Sequence, residues 1–226
     1  MPSRTRKSRR QSLGIETKHV FDVFQSGLVR GEAAFAHKPD KKVFYVEHPT
    51  EGWRVFLRAI VFLHVEGEPR DQFLVAKKSG TDPMDAVWEP PKGQMEGKDG
   101  LAHSSWSVKK LLVQNIRREC LEEAKIRKFV SLKHMPHLVV QAKEREYAPN
   151  DYFQYHVFRA TITKAVADKA MDTFEYYRKH PAEFAALSPD DNEKDALAPY
   201  DVDKTRLMGR WAPTLVKLYL RSMNKT

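Results

Sequence analysis

The alternation of apolar and polar positions along the 226-residue chain predicts both strands and helices. Short stretches rich in Val, Ile, Phe and Leu, bounded by turn residues, are typical of β-strands. These stretches cover residues 42–47, 54–65, 72–77, 128–141 and 152–163. Apolar residues spaced four apart between positions 108 and 120 instead predict a helix over 107–125, with Ser105 or Ser107 as its N-cap.

Two more helices are predicted towards the C-terminus, over residues 165–179 and 211–223. The first of them is expected to end before Pro181 because proline disfavours helical backbone in the residue that precedes it. Strands, a helix, more strands and closing helices predict an α+β sandwich with a mixed sheet and added C-terminal helices. The length fits one well-buried domain, which we place at residues 15–226.

The basic charge is concentrated at the start of the chain. Five of the first ten residues are Lys or Arg and none is acidic, so subtracting them from the net charge of +9 leaves +4 on the remainder. A basic segment without apolar residues is typical of a disordered, solvated tail, which we predict over residues 1–14. Binding of this tail to RNA, to anionic lipid or to an import receptor is the alternative.

Composition narrows the class of protein further. The longest apolar run, residues 59–63, is far shorter than the ~20 residues that a membrane helix needs, so we expect no membrane partner. Cys120 is the single cysteine, which excludes an internal disulfide and favours a reducing compartment. We predict a cytoplasmic protein and leave nuclear or mitochondrial targeting by the basic N-terminus open.

The predicted central helix carries a cluster of acidic residues. At ~100° per residue, Glu119, Glu122 and Glu123 fall on one side of the helix, so their like charges repel unless a cation neutralises them. Oxygen ligands of this kind suit Mg²⁺ or Mn²⁺. The alternative interpretation is a solvated acidic face, with Arg118 forming an ion pair within the helix.

A rigid turn precedes this helix. Pro90 and Pro91 are followed by Lys92, a cation suited to phosphate, and by Gly93, whose backbone can approach a ligand closely. The combination of such a turn with an acidic helix favours a site for a metal ion and a phosphorylated molecule over a plain surface helix.

Residues 91–93 and 118–126 together resemble the signature of the Nudix hydrolases, Gly-x5-Glu-x7-Arg-Glu-U-x-Glu-Glu-x-Gly-U, in which U is aliphatic and a Pro-Lys pair often precedes the first glycine. The order of predicted strands over residues 40–165 is similar as well. The resemblance implies an α/β/α sandwich in which Glu119, Glu122, Glu123 and the Gly93 carbonyl bind catalytic Mg²⁺ or Mn²⁺. It also implies that Arg118 orients the glutamates.

The chain departs from the Nudix signature in two places. Gly93 and Arg118 are 25 positions apart instead of 14, so eleven residues are inserted, and we expect them to form a longer loop over 95–105. The first signature glutamate is therefore unassigned, with Asp99 and Glu96 as candidates. Lys125 replaces the glycine at the helix exit, where a left-handed backbone costs a side-chain-bearing residue about 1 kcal/mol.

The segment from Trp88 to Gly93 resembles diadenosine tetraphosphate hydrolases, and more loosely diphosphoinositol polyphosphate phosphohydrolases and cap-removing Nudix enzymes. Trp88 and Tyr152 are candidates for stacking on a base, although the alternation of the aromatic residues from 147 to 155 also fits a core. We therefore predict hydrolysis of a phosphoanhydride bond in a nucleoside polyphosphate. mRNA decapping, diphosphoinositol polyphosphate hydrolysis and non-catalytic RNA binding are the alternatives.

The acidic run over residues 190–193 is expected to be a solvated loop.

Overall fold

A computed structural model describes residues 20–36, 38–82 and 85–224, so the predicted basic tail lies outside the described residues. The strands are β1 (Val29–Phe35), β2 (Lys38–Glu47), β3 (Arg54–Val65), β4 (Leu74–Lys78), β5 (Trp88–Glu89), β6 (Lys92–Gln94), β7 (Ser131–Ala142), β8 (Asp151–Ile162) and β9 (Lys194–Pro199). The helices are α1 (Gly97–Ala102), α2 (Val108–Ala124), α3 (Lys164–Lys179), α4 (Pro181–Ala185) and α5 (Trp211–Met223).

The long strand β3 is the centre of a mixed sheet. One of its edges pairs in parallel with β8 along its whole length, from Arg54 opposite Asp151 to Val65 opposite Ile162. The antiparallel partners β2, β6 and β4 follow one another along β3. Strands β1, β7 and β9 extend the sheet by antiparallel pairing with β2, β8 and β4.

Side chains of β3 alternate between two hydrophobic cores, one on each face of the sheet. Val55, Leu57 and Val61 pack in the core that also holds apolar residues of α2 and α3. Phe56 and Phe62 pack in the other core, under α5. Helices therefore cover both faces of the sheet, and the predicted α/β/α sandwich with a mixed sheet is confirmed. Within the described ranges, none of the helices has the length and apolar character needed to span a bilayer.

The predicted helix over residues 107–125 corresponds to α2. The Ser107 hydroxyl accepts a hydrogen bond from the Lys110 N–H, so Ser107 is the N-cap. The helix ends at Ala124, and its C-cap Lys125 has a left-handed backbone with φ of 59°, at the position where the Nudix signature has glycine. The predicted strand over 54–65 and the predicted helix over 211–223 coincide with β3 and α5.

The elements that the sequence did not predict are α1, α4, β1, β5, β6 and β9. The expected loop over 95–105 contains the short helix α1, although its two glycines disfavour helical backbone. Close packing against the rest of the chain explains this helix, because Gly100 lies so near the Phe44 ring that a Cβ would be 2.1 Å from it. Strands β1 and β9 were not predicted either, although both contain apolar residues.

Candidate active site

A cleft of about 270 Å³ opens between β6 and the acidic side of α2. Strand β6 places Gly93 at the cleft by pairing it with Ala59 in β3. Helix α2 places the acidic side chains opposite, and the neighbouring Ile116 and Cys120 anchor the helix in the core. The lining residues include Lys41, Lys92, Gly93, Arg118, Glu119, Glu122, Glu123, Asp190 and Glu193.

The Cys120 side chain is buried in the core and does not line the cleft. Burial raises the pKa of its thiol, which fits a packing residue better than a nucleophile.

Arg118 is the centre of an ionic network that holds the helix carboxylates side by side. Its guanidinium lies 2.7 Å from Glu119 Oε1 and 2.7 Å from Glu122 Oε2. The same guanidinium contacts both candidates for the missing signature glutamate, Asp99 at 3.3 Å and Glu96 at 3.9 Å. The structure therefore brings Arg118 together with four carboxylates, and α1 supplies one of them.

Glu96 is the more deeply packed of the two candidates. Its side chain is 9% exposed and lies 3.0 Å from Lys41 Nζ and 2.8 Å from Lys98 Nζ. Asp99 is 35% exposed and contacts Arg118 from α1. The segment lengthened by eleven residues thus folds so that Glu96 and Asp99 lie beside Arg118. An acidic group is therefore kept next to the arginine even though the signature spacing is lost.

The Glu119 carboxylate lies directly against Gly93. A Cβ at position 93 would be 1.9 Å from Glu119 Oε1, so only glycine fits there without displacing the carboxylate. Burial raises the pKa of Glu119 to about 8, with Glu123 and Glu122 adding repulsion and Arg118 opposing them. Burial therefore disfavours the charged form of this carboxyl group even though Arg118 contacts it.

Glu122 faces the cleft and is half-buried. Burial raises its pKa, and the carboxylates of Asp190 and Asp191 act in the same direction against Arg118. Asp190 and Glu193 are exposed, as expected for a solvated loop, but they line the same cleft. Sequence reasoning missed these two residues, because only a tertiary contact brings their loop to α2. In that contact, Lys125 Nζ donates hydrogen bonds to the backbone carbonyls of Glu122 and Asp191.

Glu123 belongs to a second, buried ionic cluster at the floor of the cleft. Glu123 Oε1 lies 3.0 Å from Lys194 Nζ, and Glu123 Oε2 accepts a hydrogen bond of 2.8 Å from the Lys92 N–H. Glu89 lies 2.6 Å from Lys194 Nζ and 2.9 Å from Lys92 Nζ. We call Glu89, Lys92, Glu123 and Lys194 the floor cluster. Sequence analysis did not single out Glu89 or Lys194, since both adjoin polar or turn-forming residues.

The predicted substrate-binding residues do not all reach the cleft. Lys92 lines it, but its ammonium is paired with Glu89. Trp88 packs in the core under α5, and its backbone hydrogen-bonds to Arg206 and Met208. Tyr152 lies at the start of β8, where its ring contacts Phe21 and the Lys143 ammonium. Among the described residues, the apolar side chains that line the cleft are instead Phe35, Val43 and Met208.

The donor chemistry on the Glu119 and Glu122 side fits a hard divalent ion, since both residues offer carboxylate oxygens at the cleft. In the part of the chain that the structure describes, no three Asp, Glu, His or Cys side chains converge closely enough to hold a metal ion by themselves. Backbone, substrate or water oxygens would have to complete the coordination.

No protein-family model and no curated protein matches this sequence. Solved structures do resemble it. A Nudix hydrolase from Nitrosomonas europaea aligns at 11% identity over 74% of this chain and 90% of its own, with a TM-score of 0.39. A C. elegans Ap4A hydrolase aligns at 16% identity over 76% and 99%, with a TM-score of 0.40. The Nudix domain of Shewanella oneidensis NrtR, complexed with ADP ribose, aligns at 11% identity over 78% and 94%, with a TM-score of 0.43.

Proposed function

We propose that this chain is a Nudix hydrolase that cleaves a phosphoanhydride bond in a nucleoside polyphosphate with the help of Mg²⁺ or Mn²⁺. One observation carries the proposal: Arg118 aligns Glu119 and Glu122 at 2.7 Å each, beside the close contact of Glu119 with Gly93. These residues belong to the two halves of the Nudix signature, which are far apart in sequence and meet in the cleft.

In this proposal Glu119 and Glu122 hold the divalent ion, with the Gly93 carbonyl as a further ligand. Such an ion supplies Lewis acidity and neutralises charge that develops on the phosphates. Arg118 keeps both carboxylates in place, because its guanidinium contacts one oxygen of each. The family resemblance implies Glu123 as a further metal ligand.

Lys41 is the residue best suited to attract the phosphates. Its side chain is 40% exposed and lies at the cleft, where its ammonium contacts Glu96 at 3.0 Å and Asp190 at 3.7 Å. The Lys92 ammonium is less available because it is paired with Glu89 at 2.9 Å and its side chain is 21% exposed. Phosphate binding by Lys92, which we predict from its charge and its place after the rigid turn, would therefore require the ion pair with Glu89 to open.

The apolar lining of the cleft favours a nucleoside as the group attached to the phosphates. Phe35, Val43 and Met208 lie in the same cleft as the acidic residues, and apolar surface suits a planar base better than a highly charged inositol ring. Base binding by Trp88 and Tyr152 remains a prediction, as do RNA binding by the basic tail and a cytoplasmic location.

The test is incubation with Mg²⁺ or Mn²⁺ and a substrate panel, with products identified by mass. The panel contains dinucleoside polyphosphates, nucleoside triphosphates, inositol pyrophosphates and capped RNA. We expect turnover of a nucleoside polyphosphate and a loss of at least about 10³-fold in Glu122→Gln, because the substitution keeps the volume and removes the charge. The matched control is Glu175→Gln on α3, whose carboxylate pairs with Arg178 at the surface.

Equal turnover in Glu122→Gln and wild type would contradict the metal assignment. Preference for capped RNA or for inositol pyrophosphates would select one of the alternative substrates. Binding of RNA without hydrolysis of any substrate would favour the non-catalytic alternative.

A further inference from the structure

The floor cluster has a charge balance different from that of the cleft above it. Two carboxylates, Glu89 and Glu123, face two ammonium groups, Lys92 and Lys194, so the cluster is neutral within itself. The side chains of Glu89, Glu123 and Lys194 are only 2–4% exposed. Opposite charges at contact distance in such a dry environment attract each other strongly.

Each carboxylate oxygen of the floor cluster already contacts a donor. Oε1 of Glu89 and Oε1 of Glu123 both contact Lys194 Nζ. Oε2 of Glu89 contacts Lys92 Nζ, and Oε2 of Glu123 accepts the Lys92 N–H. A divalent ion at Glu123 would therefore have to displace an ammonium that is already buried and paired on both sides.

We infer that the Lys194 ammonium takes the place of a metal ion beside Glu123, so that the divalent ion of the proposed function binds on the Glu119 and Glu122 side alone. This inference rests on the proposed function, which it makes more specific in the number and position of the ions. Lys194 is a positioning residue here, because it acts through Glu123 and through the start of β9.

The position of Lys194 in the chain gives it a second effect. Lys194 is the first residue of β9 and directly follows Glu193, which lines the cleft. Anchoring Lys194 to Glu89 and Glu123 therefore fixes the end of the acidic loop at the mouth of the cleft. Burial opposes the charged form of Lys194, but Glu123 and Glu89 outweigh burial and raise its pKa.

The experiment compares Lys194→Met with the double variant Glu89→Gln/Lys194→Met, with Mn²⁺ as the probe. Lys194→Met leaves two buried carboxylates against one lysine, whereas the double variant restores a neutral pair of Lys92 and Glu123. Thermal unfolding of chelator-treated protein is measured with and without MnCl₂. We expect Mn²⁺ to raise the midpoint of Lys194→Met by about 5 °C more than that of wild type. The double variant and the control Lys164→Met, which removes an exposed lysine paired with Asp168, should show the wild-type shift.

A Lys194→Met variant with no additional Mn²⁺ shift would overturn the inference, as would an equal additional shift in the double variant. If Lys194→Met folds only when Mn²⁺ is present, the inference is supported. If it fails to fold with Mn²⁺ while the double variant folds, the inference is wrong. Crystals of the wild-type protein soaked in Mn²⁺ give an independent result, since an ion coordinated by Glu123 would also overturn it. Failure of the proposed function has a different outcome: wild type would show no Mn²⁺ shift, and the gain in Lys194→Met would persist.

Discussion

Glu122 and Glu123 are adjacent in sequence but lie in two different ionic environments. Glu122 faces the cleft, shares Arg118 with Glu119 and has an 18% exposed side chain. Glu123 points to the floor, where Lys194 and the Lys92 N–H hold a side chain that is 4% exposed. Because successive helix residues are ~100° apart, one turn of α2 supplies both environments. Two adjacent acidic residues of one motif can therefore differ in role: Glu122 is available to a ligand, whereas Glu123 stabilises the fold.

Neutralising the carboxylate on the floor side should have the largest effect on stability. Glu123→Gln leaves Lys194 buried with Glu89 as its remaining partner, and we expect the free energy of unfolding to fall by about 3 kcal/mol. Glu122→Gln, on the cleft side, should change it far less because its carboxylate is half-buried and Arg118 keeps three other acidic neighbours. Urea unfolding of both variants at neutral pH measures the difference. Equal losses would show that the two environments are not distinct.

Displacing the Glu119 carboxylate tests the cleft side without changing its charge. In Gly93→Ala the new Cβ would lie 1.9 Å from Glu119 Oε1, so the carboxylate must move. We expect turnover of the substrate identified by the panel to fall about 10²-fold, because a displacement of this size misaligns the reacting groups. Adding Glu119→Asp shortens the side chain and should recover part of the turnover. Wild-type turnover in Gly93→Ala would contradict the importance of this contact.

A buried histidine outside both ionic clusters, His156, contributes to the acid sensitivity of the fold. Burial and His134 lower the pKa of His156 from 6.5 to about 3. In the unfolded chain His156 takes up a proton near its ordinary pKa, whereas in the folded chain it stays neutral. The contribution of His156 to the free energy of unfolding is therefore fully present above the pKa of the unfolded chain. It decreases as the pH drops below that value, by about 2 kcal/mol near pH 5.

The measurement is urea unfolding at neutral pH and near pH 5, for wild type and for His156→Gln. The variant should lose less stability on acidification than wild type, by about the amount expected for one histidine. Identical losses in both proteins would mean that the acid-sensitive group lies elsewhere.

The smallest expected effect concerns Lys125, which joins α2 to the acidic loop. Its backbone is left-handed with φ of 59°, and its ammonium donates to two carbonyls. Lys125→Ala and Lys125→Gly both remove these hydrogen bonds, but only glycine relieves the backbone. We expect Lys125→Gly to be more stable than Lys125→Ala by about 1 kcal/mol in thermal unfolding. A more stable alanine variant would contradict the cost assigned to this conformation.

The sequence predicted the parts of the fold whose patterns are local. The long apolar run of β3 and the four-residue spacing of α2 lie within single elements, so their bounds agree closely with the structure. Helix α1 was missed because its glycines fit only against the rings and side chains of other elements, as Gly100 does against Phe44. Strand β9 was missed because it starts with Lys194, whose burial depends on two distant carboxylates.

In the candidate site, too, the residues that a local pattern places were predicted and the residues that tertiary contacts place were not. Arg118, Glu119 and Glu122 follow from the spacing of one helix, and Gly93 follows from its resemblance to the signature. Asp190, Glu193 and Lys194 could not be found in this way, since their position depends on the pairing of β9 with β4 and on the contact of Lys125 with Asp191. Helical periodicity placed three glutamates on one side of α2 but could not show that Lys194 pairs with one of them.

Binding of Mn²⁺ to the chelator-treated protein can be followed by the electron paramagnetic resonance signal of the free ion, and it shows whether Glu119 and Glu122 hold a divalent ion. We expect wild type to bind Mn²⁺, and Glu119→Gln and Glu122→Gln each to weaken binding at least about 10-fold, because each removes a charged oxygen ligand. Absence of Mn²⁺ binding by wild type, or equal affinity in all three proteins, would contradict it.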